Sequence, residues 1–553
     1  MNMKRILAFF LAAALLASLA GCDLPPSETN PTEGPKMDTS GKYLLNEERN
    51  EAIITVSDYS GGPVIGNANL FYHIFVGSFS DSNGDGIGDL RGIINRMDYL
   101  NDGDPNSGVS LGIEGIWLSP IFMSPSYHKY DATDYYQIDP KFGTMEDLQE
   151  LVDLCHSRGV KIILDLVINH TSTANMWFQN FANAHQNNLP NNVFYDFYTH
   201  SPDTTSTGTW YTIPGCSNKY EGNFSGDMPE LNFDNEMVRE EMVNLARFYL
   251  EMGIDGFRFD AAKYIYYGDE PRNADFWIWY MQELRAIKPD IYTVAEVWDS
   301  DSATYPYFAS TNCFNFSMSQ VGGRIDATAK NGNVNTFTRY VDQYLKEIKS
   351  QREDAMMVTF ISNHDMDRAA GYLQVATNHA KMAANLSILL PGSTFVYYGE
   401  EIGMLGSRGG ANTDANRRLA MQWGDQDTVK NPVGSTYSNA AGNGTVADHL
   451  PDGNSLYNHY KELIAIRKAN PAIAYGEFEP LNCRGKAGGF LSTWNGQTVM
   501  VLHNTTNAPV EIVLSEITDI PFINFAAIVG VGEATLNNGV LTIDPQTSVV
   551  MNY

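Results

Sequence analysis

Four short segments concentrate the reactive side chains of this sequence: Asp165-Leu166-Val167-Ile168-Asn169-His170, Gly256-Phe257-Arg258-Phe259-Asp260-Ala261-Ala262-Lys263, Glu296-Val297-Trp298 and Ser362-Asn363-His364-Asp365. Each sets acidic or imidazole groups just after an apolar run. Two carboxylates facing one another can divide the roles of nucleophile and proton donor. Arg258 stands two residues before Asp260, on the same face of an extended strand, so its guanidinium can keep that carboxylate ionised and oriented. Glu296 is followed by Val297 and Trp298, an apolar setting that would raise its pKa and hold its proton. The same residue types could instead ligate a transition metal, but the segments lack the histidine density usual for such sites.

Apolar runs that end in polar residues read as buried parallel strands whose C-terminal ends carry the chemistry, as in a (β/α)8 barrel. Strand patterns fall at 71–76, 115–118, 161–168, 256–260, 291–297, 312–317, 357–362 and 394–398, and helical patterns at 144–158, 237–252, 274–287, 336–349, 379–390 and 456–468. Eight strands alternating with helices select a closed α/β barrel, here 67–169 and 236–471, over an open sheet. The stretch 170–235 after the third strand is far too long for a βα loop and must be an inserted domain. It is rich in Trp177, Phe178, Phe194, Tyr195, Tyr198, Trp210 and Tyr211, rings that suit pyranose faces but more often build the insert's own core. After Pro471 the pattern changes to short alternating runs, so 475–553 reads as an antiparallel β-sandwich.

The order of these motifs resembles the α-amylase family of retaining glycoside hydrolases, over residues 70 to 470 or so. The resemblance implies Asp260 as nucleophile, Glu296 as general acid/base and Asp365 as the carboxylate that holds sugar hydroxyls and helps distort the ring. It implies that His170 and His364 hydrogen-bond the sugar at the reacting subsite, that Tyr130 stacks beneath it with His128 in the same motif, and that Lys263 lies beyond the scissile bond. The inserted stretch corresponds to the family's domain B and the C-terminal sandwich to its domain C. Ala261, Lys263 and Val297 look like enzymes acting on α-1,4 bonds, so the expected function is an endo-acting α-1,4-glucan hydrolase on starch and maltooligosaccharides. Residues 228–232 and 417–423 also occur in oligosaccharide-cleaving relatives of the α-1,6-glucosidase, neopullulanase or cyclomaltodextrinase type, which keeps that alternative open. A non-catalytic glucan-binding lipoprotein is the third reading, and the intact Asp260, Glu296 and Asp365 argue against it.

Asp81-Ser82-Asn83-Gly84-Asp85-Gly86-Ile87-Gly88-Asp89 alternates oxygen donors with glycines, as a tight Ca²⁺ loop requires. It lacks the closing glutamate of an EF-hand, Arg91 and Gly92 standing there. In a subset of the family the same string binds structural Ca²⁺ through Asp81, Asn83, Asp85, the Ile87 carbonyl and Asp89. The family's other calcium site would use Asn169 and the Tyr264 carbonyl, but Glu230 replaces its usual aspartate.

The two ends and the charge complete the reading. Lys4 and Arg5 precede an apolar run to Ala20, too short to span a bilayer, which reads as a signal peptide over 1–21. Its end, Leu19-Ala20-Gly21-Cys22, resembles a bacterial lipobox, implying a lipidated Cys22, a flexible stalk over 22–66 and an enzyme tethered to the outer side of the cell envelope. With 36 Lys and Arg against 65 Asp and Glu, the formal charge of −29 argues against nucleic acid or anionic lipid as partners and suits a neutral polysaccharide. Cys155, Cys216, Cys313 and Cys483 have no metal or disulfide spacing and are expected to be free thiols. Nothing in the sequence sets an oligomeric state, and a monomer is the default.

Overall fold

The computed structural model describes residues 67–104, 107–203 and 207–553, together with the backbone of a small antiparallel pair, Leu45–Asn46 and Glu51–Ala52. Cys22, the expected signal peptide and the rest of the expected stalk lie outside the described residues.

Eight parallel strands form the centre: β1 (Leu70–Ile74), β2 (Gly115–Leu118), β3 (Lys161–Leu166), β4 (Gly256–Phe259), β5 (Tyr292–Ala295), β6 (Asn312–Cys313), β7 (Val358–Phe360) and β8 (Ser393–Tyr397). Each pairs with its sequence neighbour, β8 pairs with β1, and a parallel bridge between Phe314 and Val358 closes the ring between β6 and β7. Both faces of these strands are covered, which is why they read as continuous apolar runs. Alternate residues serve two cores. Phe71, Trp117, Ile163, Tyr292, Val294, Phe360 and Phe395 fill the barrel interior, while Leu70, Tyr72, Ile116, Ile162, Leu164 and Phe257 pack outward toward the helices. Gly115 is required here, because a Cβ on it would lie 2.4 Å from the Phe71 ring that plugs the interior.

The expected helices are present as Met145–Ser157, Glu236–Glu251, Glu270–Ile287, Val334–Gln351, His379–Ile388 and Leu456–Ala469. Two short helices after β1, Leu90–Asn95 and Met97–Leu100, had no clear pattern in the sequence. The sixth strand is much shorter than the expected 312–317, because the chain turns after Cys313 and Phe314 contributes only the closing bridge.

The insert after β3 consists of the helix Met176–Gln186 and a three-stranded sheet of His200–Ser201, Lys219–Glu221 and Trp210–Thr212. Phe178, Phe181, Phe197, Tyr198 and Tyr220 are buried in it, with Trp177, Phe194 and Tyr211 packed against them, so its aromatics chiefly build its own core. The C-terminal region is a sandwich of a five-stranded and a three-stranded antiparallel sheet. In the strand Gln497–Asn504, Met500 and Leu502 face the smaller sheet, while Val499 and Val501 join the barrel core. Buried amides fasten the two together: Asn335 Nδ2 donates to the Cys483 and Ala487 carbonyls, and Asn385 Nδ2 donates to Ser548 Oγ at 2.7 Å. The four cysteines at 155, 216, 313 and 483 are free, with Cys216 the one not fully buried.

Candidate active site

Strand register assembles the reacting groups before any side chain is considered. Arg258 on β4 lies beside Asp165 on β3, and Phe259 lies beside Ala295 on β5, so Asp260 and Glu296 emerge as neighbours one step past the barrel rim. The backbone holds that step: Glu296 N donates to the Phe259 carbonyl at 2.9 Å and Ala262 N to the Glu296 carbonyl at 3.0 Å. Ala261, directly after Asp260, has φ +49°, a left-handed conformation that costs a non-glycine residue about 1–2 kcal/mol. Strain of this kind persists where the surroundings over-determine it, and here it turns the chain sharply behind Asp260.

One guanidinium organises three carboxylates. Arg258, 1% exposed, donates from Nη1 to Asp165 Oδ1 at 2.6 Å and to Asp260 Oδ1 at 2.7 Å, and from Nη2 to Glu296. One positive charge therefore faces three acids, a cluster that favours keeping a proton. Burial, opposed by Arg258 and reinforced by Asp260, pushes the Asp165 carboxyl up to about 7. The expected pairing of Arg258 with Asp260 is present. The expected apolar setting of Glu296 is not: Val297 turns into the core, Trp298 stacks on Phe316 with centroids 4.9 Å apart, and the Glu296 carboxylate meets Arg258. Register places an arginine on the neighbouring strand where the local sequence shows only apolar neighbours.

Asp365 follows β7 and is gripped from two sides. Arg418 Nη2 donates to its Oδ1 at 2.6 Å, and His364 Nε2 lies 2.9 Å from its Oδ2. Burial works to raise the Asp365 carboxyl, but His364, Arg418 and Arg258 outweigh it and hold the group well below the usual carboxylate range. His364 also lies 2.7 Å from the Tyr130 hydroxyl, which donates to Asp165 Oδ2 at 2.9 Å, and the Tyr130 and His364 rings are parallel. Burial lowers the pKa of His170, His364 and His128, the last to about 4, while for His364 the Asp365 carboxylate opposes it. His170 Nε2 is buried without a partner, and His128 Nδ1 accepts from the Tyr130 amide at 3.2 Å. Lys263 reaches across to the β5 loop, donating to the Trp298 carbonyl at 2.9 Å and to Asp299 at 3.0 Å.

These groups converge on one cleft of about 750 Å³, lined by His128, Tyr130, His170, Asp260, Lys263, Glu296, His364 and Asp365 among others. Arg258 and Asp165 lie beneath it. The structure thus brings together every catalytic and substrate-binding residue expected from the sequence. It adds Arg418, whose segment was noted in the sequence without a role, and Tyr127, whose hydroxyl accepts from Arg418. The insert's aromatic contribution to the wall is Phe224, not one of the seven rings singled out by composition.

The Asp81–Asp89 loop lies apart from this cleft. Asp81 Oδ1 accepts from the Asn83 and Gly84 amides, its Oδ2 from the Gly86 amide and Thr428 Oγ1, and Asp89 caps the helix Leu90–Asn95 through Gly92 N. Gly84 and Gly86 have φ of +84° and +92°, as so tight a loop demands. The donor set of Asp81, Asn83, Asp85, the Ile87 carbonyl and Asp89 is all oxygen and suits a hard cation. Among the described residues, no three His, Cys, Asp or Glu side chains stand together as a metal cluster. At the other expected calcium position, Asn169 Nδ2 donates to a buried Glu230, while Asn169 Oδ1 is buried without a partner.

Comparison with known proteins agrees with this geometry. The family model of the alpha amylase catalytic domain matches residues 73–476. Alpha-amylase 3 of Dictyoglomus thermophilum is 38% identical over 443 residues, covering 79% of this chain and 84% of the relative. Trehalose synthase/amylase TreS of Mycobacterium tuberculosis is 30% identical over 522 residues, covering 80% and 82%. Among solved structures, Eubacterium rectale Amy13B has a TM-score of 0.82 and 32% identity, covering 89% of this chain and 97% of that one. A family match spanning the whole barrel, on a fold whose strand ends gather these carboxylates, means that the chain belongs to the alpha-amylase family of glycoside hydrolases.

Proposed function

We propose that the protein is an endo-acting α-1,4-glucan hydrolase that degrades starch and maltooligosaccharides with retention of configuration. The observation that carries this reading is the placement of Asp260 and Glu296 on the two ends of one guanidinium, which favours the short carboxylate separation of retaining enzymes, about 5–5.5 Å, over the wider gap of inverting ones. In the first step the Asp260 carboxylate attacks the anomeric carbon while Glu296 gives its proton to the departing glycosidic oxygen. In the second, Glu296 takes a proton from water, which attacks the same carbon and releases Asp260. Asp365, His170 and His364 hold hydroxyls of the reacting sugar, and Tyr130 supplies an apolar face.

The open cleft supports internal cleavage. Its lining draws on separate segments, Phe224, Ser225 and Met228 of the insert and Asn412 to Asp414 after β8. Product analysis on amylose, pullulan and maltotriose tests the assignment. Mixed short maltooligosaccharides from amylose are expected. Glucose alone released from chain ends, or isomaltose cleaved faster than amylose, would favour an oligosaccharide-cleaving relative.

The Asp81–Asp89 loop is proposed to hold one structural Ca²⁺ remote from the reacting carboxylates, on the strength of its oxygen donors and positive-φ glycines. Lipidation at Cys22 after export, leaving the enzyme on the outer side of the envelope, rests on the sequence alone.

A further inference from the structure

We propose that Glu400 is a positioning residue for the reaction: through Ser362 it fixes the segment that carries His364 and Asp365, and so sets where Asp365 stands against the reacting sugar. Glu400 lies outside the cleft lining and acts only through that segment. The inference rests on the role given to Asp365 above and extends it to the residue behind it.

The stretch from Ser362 to Arg368 leaves β7 and carries both side chains between its ends. Two arginines hold its middle: Arg417 Nη1 donates to the Asp365 carbonyl at 2.8 Å, and Arg418 Nε donates to the His364 carbonyl at 3.1 Å. Its ends are held by the residues that follow β8. Ser362 Oγ donates to Glu400 Oε2 at 3.0 Å. Arg368 Nη1 donates to the Tyr398 carbonyl at 2.6 Å, with its guanidinium over the Tyr397 and Tyr398 rings.

Glu400 is 6% exposed, and its two oxygens serve two different elements. While Oε2 takes Ser362, Oε1 accepts from the Tyr460 hydroxyl at 3.0 Å, so one carboxyl ties the start of the Asp365 segment to the helix Leu456–Ala469. Its own amide is fixed, donating to the Tyr397 carbonyl at 2.9 Å. The adjacent Glu401 serves other partners, accepting from the hydroxyls of Tyr72 on β1 and Tyr99 at 2.7 and 2.6 Å. A carboxyl buried this deeply is costly unless both oxygens are satisfied, and an apolar side chain of the same size would fill the space without that demand. What the acid adds is the pair of hydroxyl contacts. Burial, reinforced by Glu401 and opposed by Ser362, Tyr460 and Arg368, pushes the Glu400 carboxyl up to about 8. Near neutral pH it therefore carries its proton and can both accept and donate, as a glutamine side chain can.

Four variants separate positioning from packing: Ser362→Ala, which cuts the link to the Asp365 segment with the least disturbance; Glu400→Leu, which cuts both links; Glu400→Gln, which can keep both; and Tyr460→Phe, which cuts only the link to the helix. kcat and KM on maltoheptaose at pH 7 are measured alongside melting temperature. Ser362→Ala and Glu400→Leu should lower kcat by roughly tenfold, the order expected for one lost hydrogen bond felt in the transition state, with KM changed by less than about threefold. Glu400→Gln should recover most of that loss. Tyr460→Phe should lower the melting temperature at least as much as Ser362→Ala does, yet keep kcat within about twofold of the parent. The proposal is overturned if Ser362→Ala keeps the parent's kcat, if Tyr460→Phe loses as much kcat as Ser362→Ala, or if Glu400→Gln is no better than Glu400→Leu. Failure of the underlying reading of Asp365 shows itself separately, as an Asp365→Asn variant that retains turnover.

Discussion

Removing the charge that holds the acids apart should make stability fall with rising pH more steeply, and to higher pH, than it does in the parent protein. Arg258→Met leaves Asp165, Asp260 and Glu296 buried or part-buried at the barrel rim with their shared guanidinium gone. Breaking a buried ion pair from one side costs about 3–5 kcal/mol while the orphaned groups stay charged. They need not stay charged. Each carboxyl whose folded pKa rises above its unfolded value binds its proton more tightly in the folded state, so stability falls as pH rises between the two values, by about 1.4 kcal/mol per pH unit for each group fully in that window. Asp165, already pushed up to about 7 with Arg258 in place, gives the direction: its window runs from the ordinary aspartate range up to that value. In the variant the guanidinium that opposes that rise is gone, so the window extends further upward. Melting temperatures of parent and variant at pH 5 and pH 8 should therefore differ much more at pH 8. Turnover should fall by at least about a hundredfold at both, since a displaced nucleophile loses its near-attack geometry. Arg258→Lys restores the charge but not the fork, and should recover the stability difference more than the activity. A penalty equal at the two pH values, or larger at pH 5, would refute the view that Arg258 acts as counter-charge to a three-acid cluster.

Three further outcomes are expected, two from the structure and one from the sequence. Asp260→Asn and Glu296→Gln should leave folded proteins that bind maltooligosaccharides, measured calorimetrically, while losing nearly all turnover; Asp365→Asn should be nearly as damaging. Chelation of the purified enzyme should lower its melting temperature more than its turnover in the cold, and a calcium-replete preparation free of metal by elemental analysis would contradict the Asp81–Asp89 assignment. Cys22→Ser should release the enzyme from membranes or leave its precursor uncleaved, whereas a parent protein with no lipid at Cys22 by mass spectrometry would exclude the anchor.

Most of the site could be read from the chain because its residues stand at the ends of apolar runs, and a parallel barrel brings such ends to one rim. The spacing of Arg258 and Asp260 carried real geometric information, since alternation along a strand is local. Contacts between strands were less visible. Glu296 looked apolar from its own neighbours, and only the pairing of β4 with β5 reveals that Arg258 reaches it. Arg418 was harder still: its grip on Asp365 depends on how the long segment after β8 folds back over the rim, and no periodicity reports that path. In the insert, abundance of aromatics could not distinguish Phe224 in the cleft wall from the rings of the insert's own core, because composition carries no direction.

The central claim, a two-carboxylate retaining attack on internal α-1,4 bonds, is tested most directly by following maltoheptaose hydrolysis by proton NMR from the first minutes, with fragment lengths read in parallel. The account predicts that newly formed reducing ends appear in the α-anomeric form, on fragments of mixed length, before mutarotation equilibrates them. New ends appearing first as the β-anomer would contradict it.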